Sequence, residues 1–179
     1  MPAEEATLLV EHGETWEDRG AKGWRRVVAS PEPLEILDAP AVQALVAAGF
    51  VVIANGGGGI PVVREADGSL RGIEAVIDKD LGAALLGTSL GTEVLVIATD
   101  VPHAVLRYGT PEAEDIGRVQ VSQMEAYVAE GHFASGSMGP KVGAACRFVR
   151  ATGHPGVITD LDSILHAVEG RAGTVVLPD

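Results

Sequence analysis

Three segments of this sequence combine glycine, lysine and aspartate in ways that suit phosphate chemistry. The first is Asn55-Gly56-Gly57-Gly58-Gly59-Ile60-Pro61, where four successive glycines follow an apolar stretch. Glycine lets the backbone approach a ligand closely, and open α/β sheets bind ligands at the carboxyl ends of their strands. The run is not a dinucleotide fingerprint, which needs G-x-G-x-x-G opening a helix, and no Gly-Lys-Ser/Thr follows to make a P-loop. Taken alone, a plain tight loop explains it equally. The second segment is Val76-Ile77-Asp78-Lys79-Asp80-Leu81, placed where a strand gives way to a helix. Asp78 suits the N-cap and Asp80 the first turn, whereas a lysine there opposes the helix dipole. Either the flanking aspartates compensate, or Lys79 neutralises a phosphate while an aspartate fixes a metal or a second lysine. The third is Gly131-His132-Phe133-Ala134-Ser135-Gly136-Ser137-Met138-Gly139-Pro140-Lys141. A Gly/Ser-rich loop leads into a helix with Pro140 near its first turn, and Lys141 is again a cation at a helix start. Amides of such a loop can cradle a phosphate with lysine as counter-charge; the alternative is a solvated loop with Lys141 exposed.

A fourth segment is weaker. Thr99-Asp100-Val101 follows an apolar run, and Tyr108-Gly109-Thr110-Pro111 lies shortly beyond. A polar loop at a strand end with an aromatic nearby can hold a base and ribose, although an ordinary loop with a capping Asp reads the same way. The five histidines (His12, His103, His132, His154, His166) show no metal-ligand spacing, and one cysteine makes no cysteine-based zinc site, so no protein-bound metal is expected. There is no G-x-S-x-G elbow. Cys146 lies on an apolar helix stripe and reads as core.

The elements that must position these residues follow from apolar periodicity. Residues 2–11 read as a short helix, 13–23 as polar and glycine-interrupted, and 24–28 (WRRVV) as a strand. Pro40 opens a helix with the stripe Val42, Leu45, Val46 that ends at Gly49. Residues 50–54 (FVVIA) read as a buried parallel strand. Residues 60–63 and 73–77 flank Ala66-Asp67-Gly68-Ser69 and predict a hairpin. Leu81, Ala84 and Leu85 mark a helix, and 94–98 (VLVIA) a second buried strand. Val121, Met124 and Val128 predict a helix stopped by Gly131, and Val142, Ala145, Cys146 and Val149 one stopped by Gly153. Residues 156–159 read as a strand. Asp160 is expected to cap a helix carrying Leu161, Ile164, Leu165 and Val168, stopped by Gly170. Residues 173–177 close as a strand. Alternating helices and short apolar strands predict a three-layer α/β/α sandwich with a mainly parallel sheet, made mixed by the hairpin.

Bulk properties narrow the function classes. The 179 residues suit one domain of ordinary size, and aromatics at 4% leave Val, Leu, Ile and Ala to build the core. A net charge of −12 speaks against a nucleic-acid partner, which calls for a basic surface. No apolar run approaches the roughly 18 residues of a membrane span. The first residues lack the basic and apolar regions of a signal peptide, and a lone cysteine suits a reducing compartment, so a cytoplasmic location is expected.

Together the segments GWRRVVASPEP, VVIANGGGGIPVV, GIEAVIDKDLGAALL, IATDV, RYGTP, EGHFASGSMGPKVGAACRFV and GTVVLP resemble the carbamate kinase family, in the family's order over nearly the whole chain. The resemblance implies the C-terminal part of the amino-acid kinase fold, with 1–28 a remnant of a small protruding subdomain and 29–179 the nucleotide-binding portion. It implies reversible phosphoryl transfer between ATP and carbamate, with ADP and carbamoyl phosphate on the other side, in arginine and carbamoyl phosphate metabolism. Lys79 and Lys141 resemble the lysines that contact the transferred and nucleotide phosphates. Asp80, with Asp78 as the alternative, resembles the aspartate that holds catalytic lysines. Thr99, Asp100, Val101, Tyr108, Ser137, Met138, Gly139, Pro140 and Lys141 resemble the nucleotide pocket, and Gly56, Gly57, Gly58 and Gly59 the phosphate and substrate loop. Mg²⁺ would arrive with the nucleotide, and a homodimer is typical of the family. Two departures stand out. The family's Gly-Gly-Asn and His-Gly-Asn-Gly-Pro-type loops are not in this sequence, and Trp16 stands where a lysine is expected, with Lys22 close by. The expectation is therefore a truncated reading frame, or a chain that works beside another supplying the first half. Alternatives are a nucleotide-binding module without catalysis, or an amino-acid kinase acting on acetylglutamate, aspartate, glutamate 5-carboxylate or UMP.

Overall fold

A computed structural model describes residues 14–133 and 137–179. The helix expected over 2–11 and residues 134–136 of the Gly/Ser-rich loop lie outside the described residues. The chain divides into two units, one of Met1–Pro31 with Ile60–Ile77 and one of Glu32–Gly59 with Asp78–Asp179.

Among the described residues, the first unit holds two antiparallel pairs. Strand β1 (Thr15–Asp18) pairs with β2 (Trp24–Val27) through Thr15↔Val27 and Asp18↔Trp24. The polar, glycine-interrupted stretch thus contains a strand that its composition hides, closed by a tight turn in which Asp18 accepts the Gly20 N–H. Strands β3 (Val62–Arg64) and β4 (Leu70–Gly72) form a hairpin around Asp67, whose carboxylate accepts both the N–H and the hydroxyl of Ser69; the second arm lies earlier than the expected 73–77, which forms no strand. Ala29 bridges to Ala75 in parallel.

The second unit holds the sheet and the main core. Helix α1 (Ala39–Ala47) has a proline in its first turn, where a missing N–H costs nothing. Helix α2 (Lys79–Leu90) starts at the Asp78 N-cap and ends on Gly91 in the left-handed conformation. Strand β5 (Leu95–Thr99) follows, then the short hairpin of β6 (Val105–Leu106) and β7 (Glu114–Asp115). Strand β8 (Arg118–Gln120) leads into helix α3 (Val121–Ala129). Helix α4 (Met138–Thr152) ends on left-handed Gly153, strand β9 (Gly156–Asp160) and helix α5 (Ile164–Val168) follow, and β10 (Thr174–Leu177) completes the sheet.

The four-stranded sheet runs β5-β9-β10-β8. β5 with β9 and β10 with β8 are parallel, and β10 with β9 is antiparallel. The sheet is mixed because of this central antiparallel pair, not because of the hairpin, which stands in the other unit. Alternation along the strands feeds two layers. Ile158 and Val176 join Ala84, Met124, Val142, Phe148 and Val149 on the face covered by α2, α3 and α4. Val157 and Val175 pack with Ala167 of α5 on the opposite face. That is the three-layer α/β/α arrangement expected from sequence.

Two further expectations fail. Residues 50–54 are not a strand and are not buried: Val51 and Ile53 are each 97% exposed. Their composition asks for a sheet partner, and none of the described strands pairs with them, so nothing organises the run into a ladder. The helix after β9 is also shorter than its stripe. Ser163, not Asp160, is its N-cap; Asp160 instead accepts the Ser163 N–H at 2.8 Å as a turn-former. Leu161, Leu165 and Val168 stay exposed, and Ala167 makes the contact with the sheet.

Candidate functional site

The site centres on the starts of two packed helices, α2 and α4. Asp78, in extended conformation, accepts the N–H groups of Asp80 at 2.8 Å and Leu81 at 3.1 Å, satisfying two of the free donors at the start of α2. This capping fixes the first turn and turns Asp80 inward, where it is buried. Lys141, in the first turns of α4, is buried too, and its Nζ lies 2.8 Å from Asp80 Oδ2. A buried lysine that is paired answers the desolvation cost that an unpaired one would carry. The pairing also settles the alternative for this loop: Lys141 is not solvated.

Chemically the pair is incomplete in a useful way. An ammonium has three donors, and among the described residues Asp80 is its one ion-pair partner. The remaining two donors can bond phosphate oxygens, and the first amides of α4 add the positive end of a helix dipole. Lys79 behaves differently. It is exposed, with no ion-pair partner among the described residues.

The glycine loop joins the same helix through a contact that sequence reasoning missed. Asn55 takes a left-handed φ of 64°, and its side chain lies against Gly82 of α2. A Cβ on Gly82 would stand 2.2 Å from Asn55 Nδ2, so a side chain at this buried helix position has to displace the Asn55 amide. The loop then turns through Gly56, Gly58 and Gly59 at φ of 45°, 133° and 83°, conformations closed to other residues without strain. Gly58 N–H donates to the Asn55 carbonyl at 2.8 Å. An Asn before a glycine run, and a glycine inside an amphipathic helix four residues after its cap, were the available signals.

Gly139 plays a packing role. A Cβ there would meet the Phe133 carbonyl oxygen at 2.8 Å, so the glycine lets the start of α4 close onto the preceding loop. Met138 packs against the core, while Ser137 and Pro140 are exposed. At the end of β5, the Thr99 hydroxyl donates to Asp100 Oδ1 at 3.1 Å, with Asp100 exposed and Val101 half-buried. Tyr108, in the turn between β6 and β7, is 77% exposed. The structure thus brings Asp80 and Lys141 together and sets Asn55, at the head of the glycine loop, against Gly82 of the same helix as Asp80; among the described residues no hydrogen bond ties Thr99, Asp100 or Tyr108 directly to them. Cys146 is buried in the core, and burial pushes its thiol up to about 11. No cluster of metal-ligating side chains exists among the described residues, and no described helix is long and apolar enough to cross a membrane.

The sequence pattern of the amino acid kinase family matches residues 6–160. Carbamate kinase of Thermococcus kodakarensis is 47% identical over 170 residues, covering 95% of this chain and 54% of that protein. The carbamate kinase-like protein YahI of Escherichia coli is 45% identical over 161 residues, covering 90% and 51%. Among solved structures, carbamate kinase from Giardia lamblia bound to AMP-PNP superposes with a TM-score of 0.90 at 39% identity, over 100% of this chain and 57% of that one. A structure from Aeropyrum pernix K1 gives 0.93 at 42% identity, over 99% and 57%. The chain spans about half the length of the curated relatives it matches.

Proposed function

This chain belongs to the amino acid kinase family, and on that premise we propose that it carries the nucleotide and phosphate machinery of a carbamate kinase. The reaction is phosphoryl transfer between carbamoyl phosphate and ADP, giving carbamate and ATP, and its reverse. The observation that carries this reading is the buried Lys141–Asp80 pair at the starts of two packed helices. Phosphoryl transfer asks little covalent chemistry of a protein; it asks for position and for positive charge on the phosphate oxygens. Lys141, held by Asp80, cannot swing away, and offers two donors to a phosphate. Lys79, free in solution at the start of α2, has the reach to meet the phosphoryl group being moved. Asp78 holds the first turn of α2 in the geometry that aims Asp80. The Gly56–Gly59 loop, clipped by Asn55 to α2, supplies the Gly57 and Gly59 N–H groups, since those of Gly56 and Gly58 already bond the Ala54 and Asn55 carbonyls. Thr99, Asp100, Val101 and Tyr108 bind base and ribose, and Ser137, Met138, Gly139 and Pro140 line the phosphate end. Mg²⁺ travels with the nucleotide and shields its phosphates.

A second reading has one observation in its favour. Residues 50–54, which lead into the glycine loop, pair with no described strand, and Phe50, Val51 and Ile53 among them are exposed. A loop on so loose a lead suits a module that binds nucleotide without transferring the phosphoryl group.

Calorimetric titration with MgADP tests both. The chain is expected to bind saturably, and Lys141→Ala is expected to weaken ADP by at least tenfold, the worth of a charge-assisted hydrogen bond, while adenosine binding stays within about twofold. Equal weakening of both ligands means Lys141 acts through folding. ATP formation from ADP and carbamoyl phosphate then separates kinase from module. Transfer from acetylglutamyl phosphate but not from carbamoyl phosphate would remove the carbamate assignment.

A further inference from the structure

His132 lies between the two segments assigned above to opposite ends of a nucleotide. Its Nδ1 accepts the Arg107 backbone N–H at 3.3 Å. Its Nε2 is 3.3 Å from Glu130 Oε2. Its ring meets Tyr127 edge-on, with centroids 5.9 Å apart and planes at 86°, and Phe133 at 6.5 Å. A backbone amide only donates, so Nδ1 serves here as the acceptor, and Nε2 faces Glu130.

Each neighbour of His132 leads to one end of the site. Arg107 has a φ of 51°, a left-handed conformation that a side-chain-bearing residue rarely takes. It is held there from both sides: its guanidinium reaches the Glu112 carbonyl at 2.8 Å and Glu114 at 2.9 Å, and its amide reaches His132. The next residue is Tyr108, so the conformation of Arg107 sets where that ring leaves the backbone. On the other side Phe133 is buried, and its carbonyl oxygen presses on Gly139, two residues before Lys141.

We propose that His132 is a positioning residue that sets the Tyr108 turn against the start of α4, so that one imidazole registers the base end and the phosphate end of a bound nucleotide. The proposal rests on the nucleotide reading above. It differs from a structural role in a way that substitution can read. Phe keeps the ring against Tyr127 and Phe133 but accepts no hydrogen bond, whereas the Asn side chain carries an acceptor oxygen close to the place of Nδ1.

The experiment measures adenosine, AMP and MgADP binding to the wild-type chain, His132→Phe and His132→Asn, with amide exchange followed at Arg107 and Tyr108. His132→Phe is expected to weaken all three ligands by a similar factor, about tenfold, and to speed exchange of the Arg107 amide. His132→Asn is expected to restore both to within about threefold of wild type. This pattern is unlike that of Lys141→Ala, which discriminates between ADP and adenosine. If the folded wild-type chain binds no nucleotide, the nucleotide reading fails and this role fails with it. If the wild type binds but His132→Phe binds as well as it does, or His132→Asn is as impaired as His132→Phe, the nucleotide reading stands and the registering role is overturned.

Discussion

Two apolar runs in this chain are nearly interchangeable as text: residues 50–54 read FVVIA and residues 94–98 read VLVIA. Both precede a polar loop assigned to ligand binding, and both lie in the larger unit. Their fates differ. The second forms β5, pairs in parallel with β9 from Leu95↔Gly156 to Thr99↔Asp160, and buries Ile97 to 5% exposure. The first forms no strand and leaves Val51 and Ile53 open. Strand propensity is mostly the propensity to fit a pleated, half-buried surface, and without a neighbour that surface does not exist. What separates the runs is non-local: one has β9 and the core beneath it, the other has neither.

The comparison can be broken most forcefully at its matched isoleucines. Ile97→Ala is expected to cost about 3 kcal/mol, the range for truncating a buried aliphatic side chain. Ile53→Ala should fall within about 0.5 kcal/mol of wild type, as surface changes do. Urea unfolding of both variants measures this, and equal losses would mean that 50–54 is packed in solution.

A smaller effect is expected where the unpaired run is fastened. Asn55 against Gly82 is the tether between 50–54 and α2. Gly82→Ala should cost about 1–3 kcal/mol by overpacking, and adding Asn55→Gly should recover most of it, since glycine accepts the left-handed φ and removes the clashing amide. If the double variant is no better than Gly82→Ala alone, the cost lies in α2 itself and not in the tether.

The smallest effect is at the far end of the paired sheet. Asp179, two residues after β10, accepts the Ser122 N–H and meets Arg150, which also grips Glu125 at 2.7 Å. The Arg150 guanidinium holds the Glu125 carboxyl below its ordinary 4.5, and the Ser122 contacts and then Arg150 hold Asp179 below 3.8. Lowered folded-state values mean that this stabilisation is full above those ordinary values and is lost as pH falls below them. Because the groups are largely solvated, the loss is screened and slight. Arg150→Gln should therefore flatten the fall of the melting temperature below about pH 4.5 by a degree or two. An unchanged acid limb would show that the cluster contributes nothing.

Much of this arrangement could be read from residue order. The caps at Asp78 and Gly153, the core stripe of α4 and the strand at 94–98 follow from local chemistry and from period. The lysines of the IDKD and MGPK segments were legible as misplaced charges, but only the structure shows that they differ, Lys141 buried on Asp80 and Lys79 in water. What escaped was decided by residues far apart in sequence. Gly139 is required by the Phe133 carbonyl, and Gly82 makes room for the Asn55 amide; neither contact is visible in the helix that carries the glycine. His132 looked like one unmatched histidine among five because its partner is a backbone amide at Arg107, which no side-chain pattern advertises. The strand β1 was hidden by polar residues whose only cue is the facing β2.

The chain's single cysteine gives α4 its own clock. Cys146 sits inside the helix that carries Lys141, five residues further on, and its thiol is both covered and raised to about 11. Thiolate is the species that alkylating reagents attack, so at neutral pH the folded thiol is shielded twice. Reaction then has to wait for the helix to lift from the core, and the alkylation rate becomes a count of those openings. A ligand that grips Lys141 would slow that count in proportion to its hold on the closed helix, with no residue changed.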